Sequence, residues 1–152
     1  MQQAVEADAA LAAAYRRTHY EVTLPGGELL ALQVEVASPA LQLVHERRGV
    51  TCSAFLTAWN PRSVPQSAEF NAAANRELQQ RLVALGLDCW PGRGRDPRGE
   101  WPPEESLFVP GLELAAACLH GRDFGQNAIV HAGPDAVPRL VWLQPPRSAS
   151  PR

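Results

Sequence analysis

The sequence predicts an α/β (α+β) fold: one domain with a mixed β-sheet, an N-terminal hairpin and about four flanking helices. Two patterns predict it. Short apolar runs with two-residue alternation are bounded by Gly and Pro, and longer runs carry apolar residues at helical spacing. The two kinds are interleaved along the chain.

The elements follow in order. Residues 6 to 17 are Ala-rich and favour helix. Tyr20, Val22 and Leu24 alternate with polar residues, Pro25-Gly26-Gly27 turns, and Leu30, Leu32, Val34 and Val36 alternate again, so a β-hairpin is expected. Ser38 before Pro39 caps a short helix that Gly49 ends. Val50 to Trp59 is almost wholly apolar or small, as in a strand buried on both faces. A long helix is expected from Ser67 to Leu85, with Phe70, Ala74, Leu78, Leu82 and Leu85 as its apolar stripe. Residues 91 to 103, rich in Gly, Pro and Arg, are expected to form a long loop. A short strand at 106–109, a helix carrying Leu112, Ala115, Ala116 and Leu119, and strands at 127–131 and 139–143 complete the reading. Residues 1–144 form the domain, and 145–152 are expected to be a disordered tail.

Composition limits the function classes. A chain of 152 residues can bury a real core. A net charge of −2 supplies no broad basic field for nucleic acid. All fourteen cationic side chains are Arg, so one Arg is weak evidence of a role. No apolar run is long enough for a membrane span, and no signal peptide is read at the N-terminus, so a cytoplasmic protein is expected. Cys52, Cys89 and Cys118 are odd in number and widely spaced, which suits free thiols; a reactive Cys89 is the alternative.

Three polar segments could carry chemistry. TAWNPRS, Thr57 to Ser63, ends the most buried strand. It offers Thr57, Asn60, Arg62 and Ser63 where ligands sit in open sheets. Asn-Pro also opens ordinary turns, and Ser63 with Gln66 fits a helix capping box. Asn71 and Asn75 share one face of the following helix and either bond that loop or line a pocket. GEWPPEES, Gly99 to Ser106, carries Trp101, Glu104 and Glu105. Adjacent strand residues point to opposite faces, so at most one glutamate faces a site. Either could pair with Arg62 or act as a general base or metal ligand; a solvated charge is the plain alternative. FGQNA, Phe124 to Ala128, brings Gln126 and Asn127 to a strand entrance.

Other strings carry less. HGRDFG lacks every other kinase feature, and the chain has no Lys. Gly92 to Gly99 lacks the G-K-[ST] of a phosphate loop, though Arg93, Arg95 and Arg98 could hold an anion. His120 and Asp123 have no second pair with ligand spacing, so no metal is expected. His19, His45 and His131 are isolated. Neither catalytic residues nor a cofactor can be read.

Taken together, AYRRTHY, TAWNPRS, NRELQQRL, GEWPPEES and FGQNAIV occur in the order found in the bacterial family called domain of unknown function 3293, which the chain resembles over about residues 11 to 143. The resemblance implies a small, cytoplasmic bacterial protein and supplies no activity. Thr57, Asn60, Pro61, Ser63, Asn75, Trp101, Glu104, Glu105, Phe124, Gln126 and Asn127 fall in the matching motifs.

Two functional readings follow. In one, the three segments form a pocket for a small anionic or nucleotide-like ligand, with enzymatic activity left open. In the other, Trp90, Trp101 and the Arg-rich loop dock a protein partner while the polar residues form a structural network.

Overall fold

A computed structural model describes residues 2–143; the tail expected to be disordered lies outside the described residues. Helix α1 spans Gln2–Arg17 and leads into the hairpin of β1 (His19–Thr23) and β2 (Leu29–Leu32), paired Val22 to Leu30. Helix α2 spans Pro39–Arg48. The Ser38 side chain accepts from the Leu41 backbone N–H, and Gly49 ends the helix in the left-handed conformation, as expected. Strand β3 is Ser53–Leu56, shorter than the apolar run that announces it, and every one of its residues is buried. Helix α3 (Ala68–Ala84), strands β4 (Trp90–Arg95) and β5 (Glu104–Pro110), helix α4 (Leu114–Asp123) and strands β6 (Ala128–Ala132) and β7 (Arg139–Trp142) follow.

The strands form one sheet in the order β2-β1-β4-β5-β3-β6-β7. Every pairing is antiparallel, so the sheet is not mixed. The α+β class stands, with the helices laid against an antiparallel sheet rather than wound through a parallel one.

Strand β4 corrects the sequence reading most. Pro91-Gly-Arg-Gly-Arg95 was expected inside a long loop, yet with Trp90 it forms a strand that pairs with both β1 and β5. The loop shrinks to residues 96–103, where the buried Asp96 carboxylate accepts from the backbone N–H groups of Arg98 and Glu100. Gly92 is needed because a Cβ there would lie 2.8 Å from the Phe55 ring. Other details also differ. Phe70 and Leu85 of the α3 stripe are 50% and 63% exposed, whereas Leu78 and Leu82 are buried. Leu119 of α4 faces solvent, and Ala117 takes the inward place. Ser67, rather than a box of Ser63 and Gln66, caps α3 by accepting from Phe70 N–H.

Each face of the sheet has its own core. The inner core joins Tyr20, Val22, Phe55, Trp90, Phe108 and Val130 to Leu41 and Val44 of α2. It draws residues from both margins of the sheet, and Glu35 N–H donates to Pro138 O at 2.7 Å, so the sheet curls around it. The outer core sets Ala54, Leu56, Leu107, Val109 and Ile129 against Leu78 and Leu82 of α3 and Ala117 of α4. Each fully buried large side chain contributes roughly 1.5–3 kcal/mol. Alternation along β5 sends Ser106 and Phe108 inward and Leu107 and Val109 outward, which fixes the directions of the two glutamates ahead of them.

Candidate functional site

The three polar segments meet at one end of the sheet. Antiparallel pairing requires it: the exit of β3 lies beside the entrances of β5 and β6. At that exit Thr57 Oγ1 donates to Glu105 O at 2.6 Å and accepts Trp59 N–H at 3.0 Å. Asn75 reaches over from α3, accepting Ala58 N–H at 2.7 Å and donating to Glu105 O at 2.9 Å. One amide thus ties helix, loop and strand together.

Asn60 is held still more closely. Its N–H donates to Asn71 Oδ1 at 2.9 Å, and Asn71 Nδ2 donates back to Asn60 Oδ1 at 2.8 Å. Gln66 N–H adds a second donor to Asn60 Oδ1 at 2.9 Å. With that oxygen committed to α3 and its approach, Asn60 must turn its Nδ2 the other way, where it donates to Glu104 Oε2 at 3.4 Å. The FGQNA segment closes the other side. Arg62 N–H donates to Gly125 O at 2.8 Å, Gln126 Nε2 to Trp59 O at 3.2 Å, and Asn127 Nδ2 to Ser63 Oγ at 3.0 Å. These bonds hold Asn60, Arg62 and Ser63 at φ of 45°, 59° and 61°, a region non-glycine residues rarely enter.

Glu104 faces inward and Glu105 outward, so the glutamates diverge as expected. Glu104 is half-buried, and burial raises its carboxyl pKa, with the Asn60 hydrogen bond opposing. Tyr15, at the end of α1, stands beside it. Burial first, then the Glu104 charge, push the phenol up to about 12, while the Ser63 side chain pulls it down. The phenol is therefore a neutral donor at physiological pH. The Tyr15 ring meets Trp142 edge-on at 5.7 Å between centroids, and its carbonyl accepts the Tyr20 hydroxyl at 2.9 Å.

The structure thus brings together Thr57, Asn60, Ser63, Asn75, Glu104, Gln126 and Asn127. Arg62 joins through its backbone, and its exposed guanidinium makes no ion pair among the described residues. Two candidates stand apart. Trp101 lies under Arg17, 4.9 Å from ring centroid to guanidinium carbon, and Arg17 also bonds Asp96 and Glu100. Glu105 gives the node only its carbonyl. Its side chain lines an open groove of about 640 Å³ on the outer face, with Asn75, Arg76, Gln79 and Arg93. Sequence reasoning gave no role to Tyr15 or Trp142. Tyr15 was legible only as a member of the AYRRTHY motif, without a role, and Trp142 as an ordinary strand residue.

The remaining candidates are structural. His45 Nε2 and Ser53 Oγ share a hydrogen bond of 2.8 Å in the core, and His131 Nε2 bonds Leu112 O at 3.0 Å. The three cysteines are free, and burial followed by the Asp88 charge pushes Cys89 up to about 11, away from a reactive thiolate. No group of three or more His, Cys, Asp or Glu among the described residues could hold a metal ion. No helix of the described residues is long and apolar enough to cross a membrane.

Fold and node together define a small α+β domain, with an antiparallel sheet whose end is knotted by side-chain amides. Residues 56–129 match the family model described as "Protein of unknown function (DUF3293)", so this is the family the ordered motifs resemble. The match covers all three polar segments and α3, and stops short of Tyr15 and Trp142. No curated protein and no solved structure matches the chain.

Proposed function

We propose that the chain binds a small polar ligand at the end of the sheet, with Glu104, Tyr15 and Ser63 toward it. The Arg62 guanidinium, on the same loop, takes an anionic group of that ligand. The observation that carries this reading is the loop of Asn60 to Ser63, held at three positive φ values by side chains and carbonyls from α3, β6 and its approach. Such backbone costs on the order of 1–3 kcal/mol per residue and persists where function needs it. Here it sets an oriented amide against a half-buried carboxyl with a raised pKa, a combination typical of sites. A glutamate of that kind exchanges protons nearer neutral pH than an exposed one, so the site also has what proton transfer needs.

The amides of Asn71, Asn75 and Gln126 are engaged within the chain, so their role in this reading is to hold the loop, not to touch the ligand. The docking reading loses its main support, because Trp90 is buried and stacked on Phe108 and makes no exposed patch with Trp101. Native mass spectrometry of the purified chain is the test. A small-molecule adduct is expected on the wild type and should be lost in Arg62→Ala and Glu104→Gln, with both variants still folded. An adduct that survives both substitutions defeats the reading.

A further inference from the structure

We infer that the ligand at the sheet end presents a cationic nitrogen to Glu104: an ammonium group seated between that carboxylate and the rings of Tyr15 and Trp142. The inference rests on the ligand-binding reading above and specifies which charge the inner wall accepts. Among the carboxylates whose exposure is described, only Glu21, Asp96 and Glu104 are not exposed. Glu21 is paired with Arg93 and Arg95 at 3.2 and 2.8 Å. Asp96 is paired with Arg17 at 3.4 Å and also accepts two backbone N–H groups. Glu104 has one amide N–H at 3.4 Å and no cation from the described residues. In a chain so rich in Arg, the carboxylate that most needs a positive partner is the one the fold does not supply with one.

Its neighbours suit a cation. An inward carboxylate disfavours any anion at that wall, and Tyr15, with a pKa near 12, brings no charge of its own. Tyr15 is the ring beside the carboxylate, and the exposed Trp142 stands edge-on to Tyr15 at 5.7 Å between centroids. A desolvated carboxylate beside aromatic rings favours an ammonium over a neutral hydroxyl, through charge and through the ring quadrupole. Gly94, the β4 residue paired with Glu104, adds no side chain to that wall, and a Cβ there would rest in ordinary contact with Thr18 Cγ2 at 3.7 Å.

The test titrates the full chain near pH 8 with n-butylamine, γ-aminobutyrate and glutarate, following the Glu104 carboxyl resonance and the amides of residues 60–63 by NMR. Both amines are expected to perturb these signals and to lower the Glu104 titration midpoint. Glutarate is expected to leave that midpoint unmoved. Glu104→Gln should abolish the amine response while keeping a folded spectrum. The inference is overturned if glutarate acts as strongly as the amines, or if the amine response survives in Glu104→Gln. It is also overturned if neither amine acts by about 10 mM, well into the range in which a ligand of about −4 kcal/mol binds. In all three cases a Glu104-dependent adduct in native mass spectrometry would still uphold the site, so the two failures are separable.

Discussion

Glu104 carries a cost that the fold accepts. Its folded pKa is raised, first by burial, with the Asn60 bond only partly offsetting. The folded chain therefore holds the Glu104 proton to higher pH than the unfolded chain, where a glutamate titrates near about 4.3. By linkage, this residue's contribution is fully favourable below the unfolded value and is lost as pH rises through the folded pKa. Glu104→Gln is thus expected to be more stable than wild type near pH 8, with the difference shrinking toward about pH 4. Urea midpoints across that range check it, and a difference independent of pH would show that Glu104 is not desolvated. The amides behind it behave differently. Asn71 is buried and satisfies the Asn60 N–H, so Asn71→Ala should cost roughly 2–3 kcal/mol by orphaning that donor. Asn127 donates to an exposed Ser63 hydroxyl, and its alanine variant should cost less than about 1 kcal/mol. Equal losses at the two positions would mean the network does not fix the loop. The sequence made the two amides on one face of α3 legible, because a four-residue spacing is a local property. It could not reveal which glutamate faces inward, since that depends on the pairing of β5, nor that Tyr15 arrives beside it from another element.

At the scale of elements, β4 shows where local reading fails and why. Pro-Gly-Arg-Gly-Arg has turn composition, and its strand state is imposed from both sides by β1 and β5. The side chain that demands Gly92 is Phe55, far along the chain. A Cβ there would meet Phe55 Cε2 at 2.8 Å and Glu21 O at 3.2 Å, whereas one on Gly94 would meet only Thr18 Cγ2 at 3.7 Å. Gly92→Ala is therefore expected to destabilise by about 1–3 kcal/mol through overpacking, and Gly94→Ala to be tolerated or slightly stabilising. Thermal melts of the two variants decide it, and a tolerated Gly92→Ala would mean Phe55 moves freely in the core. The caps of α2, by contrast, were readable from sequence. Ser38 and Gly49 act within a few residues of where they stand, so composition alone marks them, whereas at α3 two serines compete and Ser67, not Ser63, takes the cap.

For the whole molecule, class was legible and strand order was not. Interleaved periodicities report element type, but β1 beside β4 and β3 between β5 and β6 are long-range pairings with no local signature. That order has a mechanical consequence. Strands β5 and β3 lie in the middle of the sheet and carry core on both faces: Phe55 and Phe108 inward, and Ala54, Leu56, Leu107 and Val109 outward. Strands β2 and β7 are the margins, tied to one another near their ends by the Glu35 to Pro138 hydrogen bond. Opening a margin breaks one ladder and uncovers only that strand's share of the core, such as Leu30 and Leu32 of β2, whereas opening the centre splits both cores. Native-state hydrogen exchange should therefore separate the strands. Amides of Phe55, Phe108 and Val109 are expected to exchange only through global unfolding, with denaturant dependence to match. Amides of β2 and β7 that pair inward should exchange earlier, by local opening that responds weakly to denaturant. The loop at residues 59–63 is anchored to the centre by Asn71 and Asn75, so the Ala58 and Asn60 amides should follow the central strands rather than the margins. Fast exchange at those two amides would mean that the loop moves independently of the sheet, and a site whose oriented amide is Asn60 would then lose its preorganisation.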